Sequence, residues 1–232
     1  MTRLCSGRNG ETPALVCAER VALLDRHCDL RVLLIRAAPV PRPPTALVTR
    51  QLERALWLVA PVLIAGLAHV AVIILDVAPA LARPIDAGRR WHGRELVGRN
   101  KTWRGFVVMP LGAALTVSLQ DAIAQRAPRL GRLGRIRPGA PPAWIVGAVC
   151  GLAYVVAELP NSFAKRRLGI PPGGRTSAVQ YAIDQFDSVI GCVIPVRAFY
   201  ETRTSDAVAA GVMGGLFHVL VERGMHALVQ RG

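Results

Sequence analysis

The chain has almost no lysine. Of its 29 lysine and arginine residues only Lys101 and Lys165 are lysine. An arginine bias explains the remainder. The two exceptions mark places where a compact ammonium has been kept in preference to a planar fork. Aromatic residues are also scarce, at 5%, and the basic residues lie between apolar runs instead of among aromatics. The net charge of +14 therefore points to anionic headgroups or phosphates and away from nucleic acid as a partner. The five cysteines (Cys5, Cys17, Cys28, Cys150 and Cys192) contain no C-x-x-C and no metal spacing, so neither a disulfide framework nor a zinc site is indicated. There is no G-x-x-x-x-G-K-[ST] phosphate loop, no H-E-x-x-H, no Ser-His-Asp order and no Cys-His pair.

What the chain has in quantity is apolar sequence, 52% of its residues, gathered into runs separated by short basic loops. Five runs stand out: Leu56–Leu81, Phe106–Ala124, Trp144–Leu159, Val179–Tyr200 and Ala207–Val221. At about 1.5 Å per residue the longer of them cross a hydrocarbon core of roughly 30 Å. The expected fold is an all-α integral membrane protein with about five transmembrane helices. Residues 51–232 form the transmembrane domain. Residues 1–50 mix charge, proline and short apolar pieces, which describes a weakly ordered N-terminal extension. Five crossings place loops 81–105 and 160–178 on one membrane face. Basic residues are shared almost evenly between the two faces, so the positive-inside rule does not choose the orientation.

Three groups of residues carry chemistry. The first is loop 86–105, where Gly88, Gly93, Gly98 and Gly105 would let backbone amides approach an anion. Lys101, Arg104 and the Thr102 hydroxyl add donors for phosphate oxygens; the alternative is a basic turn facing headgroups. The second is Glu158–Gly174. A glutamate closing an apolar run needs a partner. If the helix continues past Pro160, then Glu158, Asn161 and Lys165 share one face; the alternative is a helix end followed by a basic cluster. The third is Asp184 and Asp187, three positions apart at the start of an apolar run. Like charges near hydrocarbon repel unless a cation lies between them, and hard oxygen ligands suit Mg²⁺. The alternative is acidic stabilisation of a helix start. Together the groups describe a phosphoryl-type site, which works by charge neutralisation and alignment and needs no evident base.

At these residues the chain resembles the CDP-archaeol synthase family, relatives of the CDP-diacylglycerol synthases. The resemblance runs from about Trp57 to about Leu220. It is carried by Lys101-Thr102-Trp103-Arg104-Gly105, by Glu158-Leu159-Pro160-Asn161-Ser162-Phe163 with Lys165-Arg166-Arg167-Leu168-Gly169, and by Asp184-x-x-Asp187-Ser188. The chain departs from the family pattern at Arg99-Asn100, where an acidic residue and a glycine are expected in archaeal members; no carboxylate stands just before Lys101.

The resemblance implies a CTP-dependent nucleotidyltransferase that makes CDP-lipid and pyrophosphate from CTP and a lipid phosphate, with Mg²⁺ on Asp184 and Asp187. It implies Lys101, Asp184 and Asp187 as catalytic residues. Thr102, Arg104, Glu158, Asn161, Ser162, Lys165, Arg166 and Ser188 are implied as substrate-binding residues. The expected setting is a bacterial inner membrane with both loops cytoplasmic, and a homo-oligomer is compatible with it. The rival reading is a small non-catalytic transporter with Asp184 and Asp187 on an ion path, although the inverted repeat common in transporters is not visible.

Overall fold

In a computed structural model the chain is described at residues 44–172, 174 and 177–229. The expected extension over 1–50 lies largely outside that range. Among the described residues six α-helices follow in order: α1 (Pro44–Ile74), α2 (Trp103–Arg126), the single turn α3 (Pro128–Gly131), α4 (Ala143–Arg167), α5 (Ala178–Phe199) and α6 (Thr204–Val229). Two short strands, β1 (Arg90–Trp91) and β2 (Arg94–Glu95), form an antiparallel hairpin between α1 and α2.

The five long helices correspond to the five apolar runs, with shifted ends. Four are long and apolar enough to cross a membrane by themselves: Leu47–Ile74, Trp103–Arg126, Ala143–Arg167 and Thr204–Val221. Helix α5 falls outside that group because Gln180, Asp184, Gln185 and Asp187 crowd its first turns. Its exposed face is nevertheless a stripe of Val179, Ile183, Phe186, Ile190 and Ile194, spaced by three or four residues, and its polar residues lie on the other side. That is the pattern of a helix with lipid outside and a polar site inside. Leu111, Leu115 and Leu119 on α2, and Val208, Val212, Leu216 and Leu220 on α6, form similar exposed stripes.

Small residues set the helix spacing, as they do where lipid supplies no hydrophobic drive between helices. Helix α4 lays Gly147 and Gly151 directly on the α2 backbone; a Cβ at Gly151 would lie 2.8 Å from Pro110 Cα. Gly112 of α2 faces Ala65 of α1 at 3.0 Å, Gly191 of α5 faces Ala153 of α4, and Gly215 of α6 receives the Phe186 ring of α5. Pro61, Pro110, Pro160 and Pro195 each lie inside a helix, which neighbouring helices make tolerable.

The first expected run ends differently from the helix it became. Helix α1 stops at Ile74, although the sequence stays apolar to Leu81. Asp76 takes a left-handed conformation (φ 47°) and Val77 N–H returns to the Val72 carbonyl at 3.0 Å, which closes the helix end. Helix α4 runs the other way: it passes through Pro160 and continues to Arg167. There Gly169 (φ 77°) lets Ile170 N–H reach the Lys165 carbonyl at 2.9 Å.

Candidate active site

The ends of α1 and α4 and the starts of α2 and α5 meet on one face, with loop 75–102 and residues 168–172. The first loop is a closed unit. His92 (φ 48°) and Gly93 (φ 75°) give the hairpin a two-residue turn with both central residues left-handed. The Asp86 carboxylate accepts from Gly88 N–H (3.0 Å) and Val97 N–H (3.1 Å). Ile85 N–H reaches the Lys101 carbonyl at 2.9 Å, and Trp103 N–H reaches the Arg83 carbonyl at 3.1 Å. These contacts fix Lys101 at the mouth of α2.

Continuation of α4 through Pro160 puts Glu158, Asn161, Ser162 and Lys165 within two turns, and Asn161 and Lys165 reach the α5 carboxylates. Asn161 Nδ2 donates to Asp184 Oδ1 at 2.7 Å and to Asp187 Oδ2 at 2.8 Å. Lys165 Nζ pairs with Asp184 Oδ2 at 2.7 Å. Lys101 Nζ pairs with Glu158. Ser188 N–H donates to Asp187 Oδ1 at 2.6 Å, and Ser188 itself is fully buried. Ser177 caps α5 by accepting from Gln180 N–H at 3.1 Å. That cap orients Gln180, whose side-chain amide donates to Asn161 Oδ1 (3.0 Å) and Asp184 Oδ1 (3.1 Å).

Part of this cluster lines one end of a cavity of about 410 Å³, while Ser188, expected to bind substrate, is fully buried and does not border it. Lys101, Thr102, Glu158, Asn161, Ser162, Lys165, Arg166, Asp184 and Asp187 all border it. Its remaining wall is mostly apolar and comes from α1, α2, α4, α5 and α6, with Leu58, Val62, Met109, Val193, Phe217 and Val221 among its residues. A charged pole therefore opens into an apolar volume between membrane-length helices.

Several expected site residues stand elsewhere. Arg104 is buried and donates to the Asp76 carboxylate and to the Ala78 carbonyl at 3.3 Å. It ties the end of α1 to the start of α2 and does not border the cavity. Gly88 and Gly93 serve turns, and only Gly105 of the four loop glycines reaches the cavity wall. Arg166 borders the cavity but donates to the Ile170 carbonyl and lies beside Gly98. Arg167 turns away to the hairpin, where it donates to the carbonyls of Trp91, Arg94 and Glu95 and stacks on Trp91 and Phe163.

Sequence reasoning missed Tyr154 and His218 as wall residues and Gln180 as a hydrogen-bond partner of Asn161 and Asp184. Gln180 had a usable signal, since it lies one helical turn before Asp184 on the same face. Tyr154 lies one turn before Glu158 on α4 and also had one.

One oxygen of each carboxylate lies within hydrogen-bond distance of Asn161 Nδ2, at 2.7 and 2.8 Å, so the two carboxylates are near enough to each other for one divalent cation to bridge them. The donors are hard oxygens, and Mg²⁺ typically binds to one or two carboxylates plus water and phosphate. Among the described residues no group of three or more His, Cys, Asp or Glu forms an all-protein cage.

The sequence matches a known family. The CDP-archaeol synthase family model matches residues 48–226. A CDP-archaeol synthase from Halobacterium salinarum is 40% identical over 111 residues, which cover 47% of this chain and 55% of that protein; the chain spans about half of that relative. A CDP-archaeol synthase from Halorubrum lacusprofundi is 33% identical over 159 residues, 63% of this chain and 80% of that one. One from Pyrococcus furiosus is 32% identical over 136 residues, 58% and 73% of the two chains. A solved structure of an intramembrane enzyme for archaeal membrane lipid biosynthesis aligns with 72% of this chain and 92% of that one, at 25% identity and a TM-score of 0.49. With most of its length matched by the family model, and with five long helices around one charged pole, this chain is an integral membrane protein of the CDP-archaeol synthase family.

Proposed function

We propose that the protein transfers a cytidylyl group from CTP to a membrane lipid phosphate, giving CDP-lipid and pyrophosphate. The observation that carries this reading is the cavity with two characters: a pole of two lysines and three carboxylates at one end, and an apolar wall between membrane helices at the other. A reaction between a water-soluble triphosphate and a lipid-borne phosphate requires such a meeting place. The names of the relatives support the same chemistry for this chain.

The lipid phosphate is already an anionic nucleophile, so no general base is required. Its oxygen attacks the α-phosphorus of CTP, the bond to the bridging oxygen breaks, and pyrophosphate leaves with that electron pair. Lys101 and Lys165 hold phosphate oxygens in line by exchanging part of their pairing with Glu158 and Asp184. Asn161 and Gln180 keep the α5 carboxylates facing the cavity. Mg²⁺ held by Asp184 and Asp187 would supply charge compensation at the phosphates.

CTP is a cytoplasmic substrate, which assigns the face carrying both loops to the cytoplasm. The relatives described above are archaeal, and a bacterial inner membrane finds no support among them. The test is direct: the protein in detergent is given radiolabelled CTP, Mg²⁺ and a panel of ether- and ester-linked lipid phosphates. CDP-lipid is the expected product. A folded preparation that yields none from any member removes the proposal.

A further inference from the structure

Two histidines stand on membrane-length helices and border the same cavity: His69 on α1 and His218 on α6. Each has a buried ring nitrogen with no hydrogen-bond partner among the described residues, Nε2 in His69 and Nδ1 in His218. A buried, unpaired polar group inside a membrane helix is costly, and a cavity-lining one is a functional candidate by default.

Their heights in the bundle place both near the charged pole. A Cβ at Gly105, four positions after Lys101, would lie 3.4 Å from His69 Cε1 and 3.6 Å from its Nε2. His69 is within electrostatic reach of Lys101 and Glu158. On the other side, Gly215 of α6 packs against Phe186 of α5. The two helices are joined by the short connection 200–203 and run antiparallel. One turn on from Gly215 is His218, and one turn back from Phe186 is Ile183, next to Asp184. The histidines thus come from α1 and α6, while the carboxylates and Lys165 come from α4 and α5.

We propose that His69 and His218 bind the neutral, oxygen-bearing glycerol backbone of the lipid substrate, just below its phosphate; this rests on the lipid-phosphate reading above. Phosphate oxygens have Lys101, Lys165 and Arg166 on the same cavity, and an imidazole competes poorly with those cations for an anion. A two-chain glycerol phosphate carries ether or ester oxygens just beyond its phosphate, toward its chains, and these accept hydrogen bonds from an imidazole N–H. Imidazole nitrogens at the border between charged pole and apolar wall match that position, and each would gain the partner it lacks.

The experiment uses the purified full-length protein in detergent, without CTP. It titrates two probes: a dialkylglycerol phosphate, and a long-chain alkyl phosphate that has phosphate and chain but no glycerol oxygens. Wild-type protein is expected to prefer the glycerolipid. His69→Phe and His218→Phe should each weaken glycerolipid binding by about tenfold and leave alkyl phosphate binding unchanged. His69→Gln and His218→Asn, whose amide nitrogens take the places of Nε2 and Nδ1, should retain most of the affinity. Should a phenylalanine variant not be recovered folded, the alanine variant carries the same comparison. Equal loss for both probes, no loss for either, or no wild-type preference overturns the assignment. Because the titration needs no turnover, a protein that binds as expected but forms no CDP-lipid sinks the reaction and not the histidine site.

Discussion

Lys101 and Glu158 form an ion pair across 57 positions of sequence, each about one-fifth exposed. The pair joins the loop before α2 to the second half of α4, and it keeps one of the chain's two ammonium groups at the cavity wall. An arginine there would present a longer, planar fork in place of a point charge. Lys101→Arg is therefore expected to lower kcat/KM for CTP by about tenfold, and Lys101→Met by about a hundredfold. Steady-state kinetics with lipid phosphate held constant would measure both. Wild-type values in the arginine variant would mean that lysine scarcity carries no functional information here.

That pairing shows what a sequence does and does not disclose. The five long helices were legible because apolar runs of membrane length have few other uses, and the α5 carboxylates because their cost demands a reason. The shared face of Glu158, Asn161 and Lys165 depended on a helix continuing through Pro160, which spacing alone left open. The true end of α1 was hidden, because the sequence stays apolar to Leu81 while the stop comes from Asp76 and its distant partner Arg104. The different tasks of Lys165, Arg166 and Arg167 were hidden for the same reason. Adjacent basic residues look alike until long-range partners separate them: Asp184 for the first, the Ile170 carbonyl for the second, the hairpin for the third.

The convergence of Asp184 and Asp187 on Asn161 makes a metal-specific prediction. Asp187→Asn should cut turnover by at least about a hundredfold with thermal unfolding in detergent little changed. Asn161→Ala keeps both carboxylates but removes the amide that holds them together. Its activity should fall by about tenfold to a hundredfold at low Mg²⁺ and recover substantially as Mg²⁺ is raised. A magnesium titration of initial rates distinguishes this from a simple packing defect, which added Mg²⁺ would not repair.

Arg167 predicts a local change with little global one. Its guanidinium donates to three carbonyls of the hairpin, Trp91, Arg94 and Glu95, and stacks over Trp91 and Phe163. Arg167→Ala should free the hairpin while the helices stay packed. Arg89, Arg90, Arg94 and Arg99 lie in that loop, so limited trypsin digestion should cut there several-fold faster than in the wild type. Arg167→Lys, which cannot reach three carbonyls from one planar group, should behave more like the alanine variant than like the wild type. Unchanged cleavage in both would show that the loop is held by Asp86 and its backbone contacts alone.

The glycines of α1 and α4 offer a stability test with its own control. At Gly151 an added Cβ would meet the Met109 carbonyl and Pro110 Cα, both backbone atoms that cannot rotate aside. At Gly66 an added Cβ meets nothing within 4 Å. Overpacking of this kind typically costs about 1–3 kcal/mol, whereas alanine for glycine in an unobstructed helix gains up to about 1 kcal/mol from propensity. Gly151→Ala should therefore lower the unfolding midpoint in detergent, and Gly66→Ala should leave it unchanged or raise it. The α2–α4 contact also sets the distance from Lys101, just before α2, to Glu158, two turns after Gly151 on α4. The Gly151 variant should accordingly lose activity below its own unfolding midpoint, and the Gly66 variant should not. Parallel loss in both would mean that helix propensity, and not the close α2–α4 approach, governs the fold.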